Sequence, residues 1–352
     1  MALLNSVTPT TPPATGNPLS SGVFAPSVNY MRAFQLTVGS GSALDLSAMR
    51  VKFTVRQDSL QAPNTLYARV YNLAKSTGKL IKSLEGQQVT LSAGYQGNFG
   101  LIYSGEIRQV NNGRESPTDT YCDIFGGDSD RAINFGVVNK TLAAGSTPQD
   151  HWNEALKGLQ AVDPNVQQGY VGVDLSQPRY PRSFTLYGMV RHTLRLLAQS
   201  KDASYSIQSG KLQLVPNNSA IGGNILVLNS LTGLIGMPTE TIGGILIRAL
   251  INPHLTVNSL VQVNEADINR ADLQQAYGAS LSQDLAIGKD GLNLGTADGV
   301  YRVLQLNWNG DTRGVPWYVD MACVGAISGS TPPALASQGY ASVPASTPGA
   351  TQ

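Results

Sequence analysis

The chain has 352 residues, enough for two or three domains, each with its own core. Its formal net charge is +1 and only 13% of residues are charged, which argues against standing affinity for nucleic acid or an anionic membrane, since either wants a basic stripe. The 37 glycines and 19 prolines, with so little charge, suit a β-rich chain with many turns.

Residues 1–29 are rich in Thr, Pro, Ser and Gly and read as a flexible arm, either plainly disordered or ordered on a neighbouring subunit. They show no basic segment followed by an apolar run, so no secretory leader is expected. Residues 30–130 read as a first β-domain. Strands are expected at Phe34–Val38, at Met49–Val55, where Val51, Phe53 and Val55 alternate with Lys52 and Thr54, and at Tyr121–Phe125. Between them, Asn64–Val110 reads as strand, short helix, strand, turn and strand. Leu66, Ala68 and Val70 alternate, and Ser76 is a candidate cap for a helix ended by Gly86. Leu80, Ile81 and Leu84 would share that helix's apolar face. Val89, Leu91 and Ala93 then alternate again, and Gln96-Gly97-Asn98 supplies a turn.

Residues 131–182 read as a helical and irregular connector. In it, Thr147, Pro148 and Asp150 spell a capping box before the apolar face of Trp152, Ala155, Leu156 and Leu159, and Asp163–Arg182 is looser. Residues 183–218 read as a small α+β unit. Leu186, Met189, Val190, Thr193, Leu194 and Leu197 have helical spacing, and a hairpin follows with its turn at Gln208-Ser209-Gly210. Residues 219–327 read as a second β-domain. Its strand candidates are Ile225–Leu228, Gly244–Leu250 and Ser259–Val263, and Asp267–Ala276 is a candidate short helix. Gly299–Trp308 and Val315–Val324 form a long hairpin. Residues 328–352 form a Ser/Pro/Ala-rich tail. No run is long and apolar enough to cross a bilayer; Ile242–Ile251 comes nearest and carries Arg248.

Catalytic signals are sparse. His151, His192 and His254 are scattered and lack metal-ligand spacing. Asp119, Asp123, Asp128 and Asp130 form one acidic cluster. A wall-lytic activity would need one carboxyl with a raised pKa and a second opposite it. The simpler reading has Asp128 and Asp130 stabilising free N–H groups of the helix they precede. The pairs Gly126-Gly127, Gly222-Gly223 and Gly243-Gly244 lack the Lys-Ser/Thr of a phosphate loop and read as turns or bulges. Trp308 and Trp317 flank the late hairpin turn, as stacking platforms for sugars or bases or as a cross-strand core pair. Cys122 and Cys323 read as small buried apolar residues, with a disulfide between them left open. No catalytic, cofactor or metal residue is therefore assigned.

Four stretches resemble the central hub proteins of phage tail baseplates. The first is Tyr71-Asn72-Leu73 with Gly86, Ala93-Gly94-Tyr95-Gln96-Gly97 and Ile102-Tyr103-Ser104-Gly105. The second is Asp123–Asp130. The third is Leu231–Pro238 with Ala249–Pro253, and the fourth is Gly299–Val303 with Gly310–Gly314 and Trp317. The resemblance implies an α+β, mainly β chain, with two tail-tube-like β-barrel or sandwich domains and a small α+β insert between them. It implies a non-enzymatic homotrimer in the virion's tail baseplate, assembled in the host cytoplasm. Six barrels would adapt a six-fold tail tube to a three-fold central spike. Baseplate wedge or sleeve proteins and the end of the tape-measure protein would be further partners, with DNA passing through the lumen. The rival reading is a tail-associated wall hydrolase or carbohydrate-binding protein.

Overall fold

The computed structural model describes residues 30–39, 43–59, 61–223, 225–241, 244–263 and 299–325. The arm, the tail and the candidate helix at Asp267–Ala276 lie outside the described residues.

The first β-region contains β1 (Arg32–Val38), β2 (Leu44–Asp45), β3 (Val51–Asp58) and β4 (Thr65–Tyr71). Helix α1 (Lys75–Ser83) follows, then β5 (Gln88–Tyr95), β6 (Asn98–Arg114) and β7 (Thr120–Gly127). Period-2 alternation drives these strands. Val51, Phe53 and Val55 are buried while Lys52 and Thr54 are not, and Leu66, Ala68 and Val70 face the same core. In sheet order β3-β4-β7-β6-β5-β1, the first and last strands are remote, yet Phe34 stacks on Phe53 with centroids 5.6 Å apart. The sheet is therefore rolled on itself, with bulges at Leu91/Ser92 and Ile107/Gln109 to help it bend. Helix α1 differs from its sequence reading at two points. It is capped at Ala74 without a side-chain bond, so Ser76 lies inside its first turn. Ile81 is buried, but Leu80 is exposed; the apolar face is narrower than its spacing suggests.

A second module follows: α2 (Asp130–Phe135), β8 (Val137–Leu142), α3 (Pro148–Gln160), β9 (Gln167–Val171), β10 (Phe184–Met189), α4 (Val190–Ser200), β11 (Ala203–Gln208) and β12 (Lys211–Pro216). The capping box at Thr147 and Asp150 is formed, with Pro148 in the first turn. Trp152, Ala155 and Leu159 share a core with Leu186, Leu194, Tyr205 and Leu214. The stretch read as a connector thus contributes α3, β8 and β9 to the same core as the hairpin. Strand β9 lies in the stretch read as loose and pairs in parallel with β12. Leu186 and Met189 have helical spacing but lie in β10; the chain turns from strand to helix directly at Met189–Val190, so the apparent helical stripe mixes two elements.

The last strands are β13 (Leu226–Leu228), β14 (Thr239–Thr241), β15 (Gly244–Leu250), β16 (Leu260–Val263), β17 (Val300–Asp311) and β18 (Trp317–Gly325). Strand β17 pairs with β18 along its length, with β16 through Val300–Arg302, and with β3 through Gln305–Asp311. The two β-regions therefore belong to one 13-stranded sheet and one continuous hydrophobic core. Trp308 and Trp317 are both buried, but the register sets them opposite Val319 and Gly310 rather than each other. Trp308 donates to Gln57 Oε1 at 2.9 Å, and Trp317 packs edge-on against Phe34 and Phe53 under the Arg32 guanidinium. Neither is available as a stacking platform. At the two ends of the sheet order stand very short strands, β2 and β14, which limits the open edge offered to other chains.

Candidate functional site

The acidic cluster is dispersed among structural partners. Asp123, mid-strand in β7, takes a bidentate pair from Arg69 of β4, at 2.7 and 2.9 Å, and a bond from Tyr67. Arg69 also lies 4.0 Å above the Tyr121 ring. Asp119 accepts from Asn72 and Ser116 in a surface turn, which holds its carboxyl below the usual range. Asp130 sits in the first turn of α2 and pairs with Arg108 and Asn134.

Asp128 departs from the expected cap. Its carboxylate points away from α2 to the β11–β12 turn, where Ser209 and Gly210 both have positive φ. That type I′-like geometry leaves two successive N–H groups facing outward. Ser209 N–H donates to Oδ2 at 2.5 Å and Gly210 N–H to Oδ1 at 2.9 Å. Asn64 donates to Oδ2 and Ser129 to Oδ1. Asn64 also donates to Ile207 O and Gln208 Oε1, while Gln208 donates back to Asp58 O. This buried node fastens the hairpin of the middle module to the first β-region. Burial pushes the Asp128 carboxyl up to about 7, with its donors pulling the other way. This raised carboxyl is thus consumed by an internal latch. The sequence signal for it was the Ser-Gly turn, whose partner lies some eighty residues earlier.

The histidines are apart in role. His151 is buried in a three-ring cluster with Tyr180 and Phe184, at centroid distances of 4.8 and 5.0 Å from them, those two rings lying 6.1 Å apart, and its Nε2 has no hydrogen-bond partner. Burial lowers its pKa, so it favours the neutral ring. His192 lies on α4, 3.4 Å from Arg195. His254 lies in the turn after Pro253, where its backbone N–H bonds Asn252. Among the described residues no three His, Cys, Asp or Glu side chains gather as metal ligands, and no helix is long and apolar enough to cross a membrane. Cys122 and Cys323 are both buried free thiols. Gly126 and Gly127 lie within β7, packed against Tyr103 and Arg108; Gly222 and Gly223 lie in an open connection; Gly244 opens β15, and Gly243 is outside the described residues.

The described residues form several open cavities. One of about 530 Å³ is lined by Arg50, Lys52, Tyr71, Glu115, Asp119 and Arg313. Its charges are mixed, and Arg50 is already bound to Asp311 at 2.8 Å. A second, also about 530 Å³, lies on the β15–β18 face beside exposed Met237 and Leu246. The third, about 320 Å³, lies between β10 and α4 and includes His151. Among the described residues the most exposed of the large apolar side chains are Val315, Leu231 and Tyr187, on turns and a two-stranded ribbon.

No known family profile matches the chain, and no curated protein matches it. Solved structures do. The tail protein from Neisseria meningitidis MC58 superposes with a TM-score of 0.54 at 10% identity, covering 84% of this chain and 97% of that one. The 43 kDa tail protein of prophage MuSo2 from Shewanella oneidensis gives 0.55 at 10% identity, covering 84% and 99%. The chain therefore has the α+β, mainly β fold of these two tail proteins.

Proposed function

We propose that the chain is a structural hub of a phage or phage-like tail baseplate. The observation that carries this reading is the shared fold along nearly the whole of two tail proteins. The commitment of the acidic cluster to internal bonds supports a mechanical role over the wall-lytic one. In this reading three chains form a homotrimeric ring in the virion's tail baseplate, assembled in the host cytoplasm. The two β-regions of each chain present six similar units to a six-fold tail tube, and the trimer presents three-fold symmetry to a central spike. Wedge or sleeve proteins contact the outside. The end of the tape-measure protein and then DNA occupy the channel. A near-neutral chain suits that channel, because many fixed phosphate contacts would hold DNA back. The role needs no turnover, cofactor or metal. A closed ring would also cover sheet edges against neighbours.

The test is solution mass by light scattering across a concentration series, followed by electron microscopy of the particles. A concentration-independent trimer with a ring outline is the expected result. A monomer that stays monomeric when mixed with its spike protein would refute the hub assignment. Lysis of purified cell wall that disappears in Asp128→Asn or Asp130→Asn would replace it with the hydrolase reading.

A further inference from the structure

The β8–β10 ribbon has the features of a docking site. Among the described residues β10 pairs only with β8, so its other edge carries unpaired backbone groups. The ribbon's inner face is held by α3 and α4 through Val138 and Leu186, which leaves its outer face and edge free. Its outward face mixes apolar and polar positions: Val137 opposite Met189, Tyr187, 80% exposed, opposite Asn139, and Thr185 opposite Thr141, while Phe135 precedes β8 with 68% exposure. Four successive residues of β10, Phe184 to Tyr187, line the 320 Å³ cavity. Side chains alternate faces along a strand, so this run makes the strand's own edge the cavity wall. Leu196 and His192 of α4 form the facing wall. At the back His151, only 6% exposed, presents an Nε2 without a partner. A buried polar atom left unpaired costs stability, which a ligand atom would recover.

The segment that carries β10 and α4 is basic, while on α3 Asp150 adjoins His151. From residue 177 to residue 201 there are five Arg or Lys and no Asp or Glu. Arg179, Arg182, Arg191 and Arg195 are exposed, and none forms an ion pair with a described carboxylate. In a chain of net charge +1 this is a local concentration of positive potential.

We propose that β10 receives an extended acidic segment of a partner protein as an added strand. One apolar side chain of that segment fills the cavity against Phe184 and Leu196. A backbone or carboxylate oxygen accepts from the neutral His151 ring, and flanking acidic residues meet the four arginines. Main-chain bonds to the open edge supply affinity, and the cavity and charges supply selection. The inference stands on the ribbon and cavity alone and does not require the hub assignment.

The test uses the full chain and fluorescein-labelled, acetylated peptides of alternating valine and glutamate with one central phenylalanine, read by fluorescence anisotropy. The control replaces every glutamate with lysine. Saturable binding of the acidic peptide is expected, with hydrogen-exchange protection centred on β10. Tyr187→Glu and Arg195→Glu, both at exposed positions, should each weaken it by about tenfold. His151→Phe keeps a ring in the cluster and removes the nitrogen, so weaker binding with thermal stability kept or raised would locate the hydrogen bond. Absence of saturable binding would overturn the proposal, as would equal binding of the lysine peptide or indifference to both exposed variants. Binding of polygalacturonate in place of the acidic peptide would overturn it in favour of an acidic sugar.

Discussion

Asp128→Asn isolates the latch between the middle module and the first β-region. In the native chain burial pushes this carboxyl up to about 7. In an unfolded chain an aspartate titrates near about 3.9. The folded state therefore holds the proton more tightly than the unfolded state. The stabilisation this proton provides is complete below the unfolded value and is lost as pH rises through about 7. Lowering the pH from about 8 to about 5 should stabilise the native protein by about 2–3 kcal/mol through this one group. Asparagine does not titrate, so the variant lacks that gain. It also sets an amide donor among the donors of Asn64, Ser129, Ser209 and Gly210, at a pH-independent cost of about 1–3 kcal/mol. The two proteins should be compared by urea unfolding across this pH range. His151 and the exposed carboxylates are common to both and cancel in the difference. The native protein should gain on the variant as pH falls. Parallel stability curves would refute a raised, buried Asp128.

Three other outcomes follow from the packing. Gly94 has φ +155°, and a Cβ there would lie 2.1 Å from the Asn98 carbonyl oxygen, so Gly94→Ala should cost more than ~2 kcal/mol in thermal or urea unfolding. Trp317→Ala empties the site against Phe34 and Phe53 and should cost about 3–5 kcal/mol, with loss of near-ultraviolet circular dichroism. Burial pushes the Cys122 thiol up to about 11 and Cys323 higher still. Neither thiol should react with a thiol reagent at neutral pH until urea unfolds the chain; rapid labelling of the native protein would contradict their burial.

The strands of the first β-region were legible because one face is buried and the other is not, so β3, β4 and β5 alternate in sequence as they do in space. Helix α3 was legible from its capping box. The β8–β10 ribbon was not. Its residues are mostly exposed and only Val138 and Leu186 are fully buried, so too few inward positions recur to display a period-2 pattern. The role of Asp128 was illegible for another reason. An acidic residue before a helix has a good local use as a cap, and only the tertiary approach of the Ser209–Gly210 turn diverts it. Pairing of β3 with β17 has no local signature, because each strand alternates correctly whatever its partner.

That pairing has a consequence for synthesis. Strand β3 leaves the ribosome early, but the neighbour that covers its edge is encoded at residues 305–311. The N-terminal β-region therefore emerges with an open seam that stays open until nearly the whole described chain has been made. Folding of this region is governed by its distant C-terminal strand, and contacts of such sequence separation form slowly. A nascent chain stalled after residue 218 would still carry the seam, ready to take the corresponding strand from a completed neighbour.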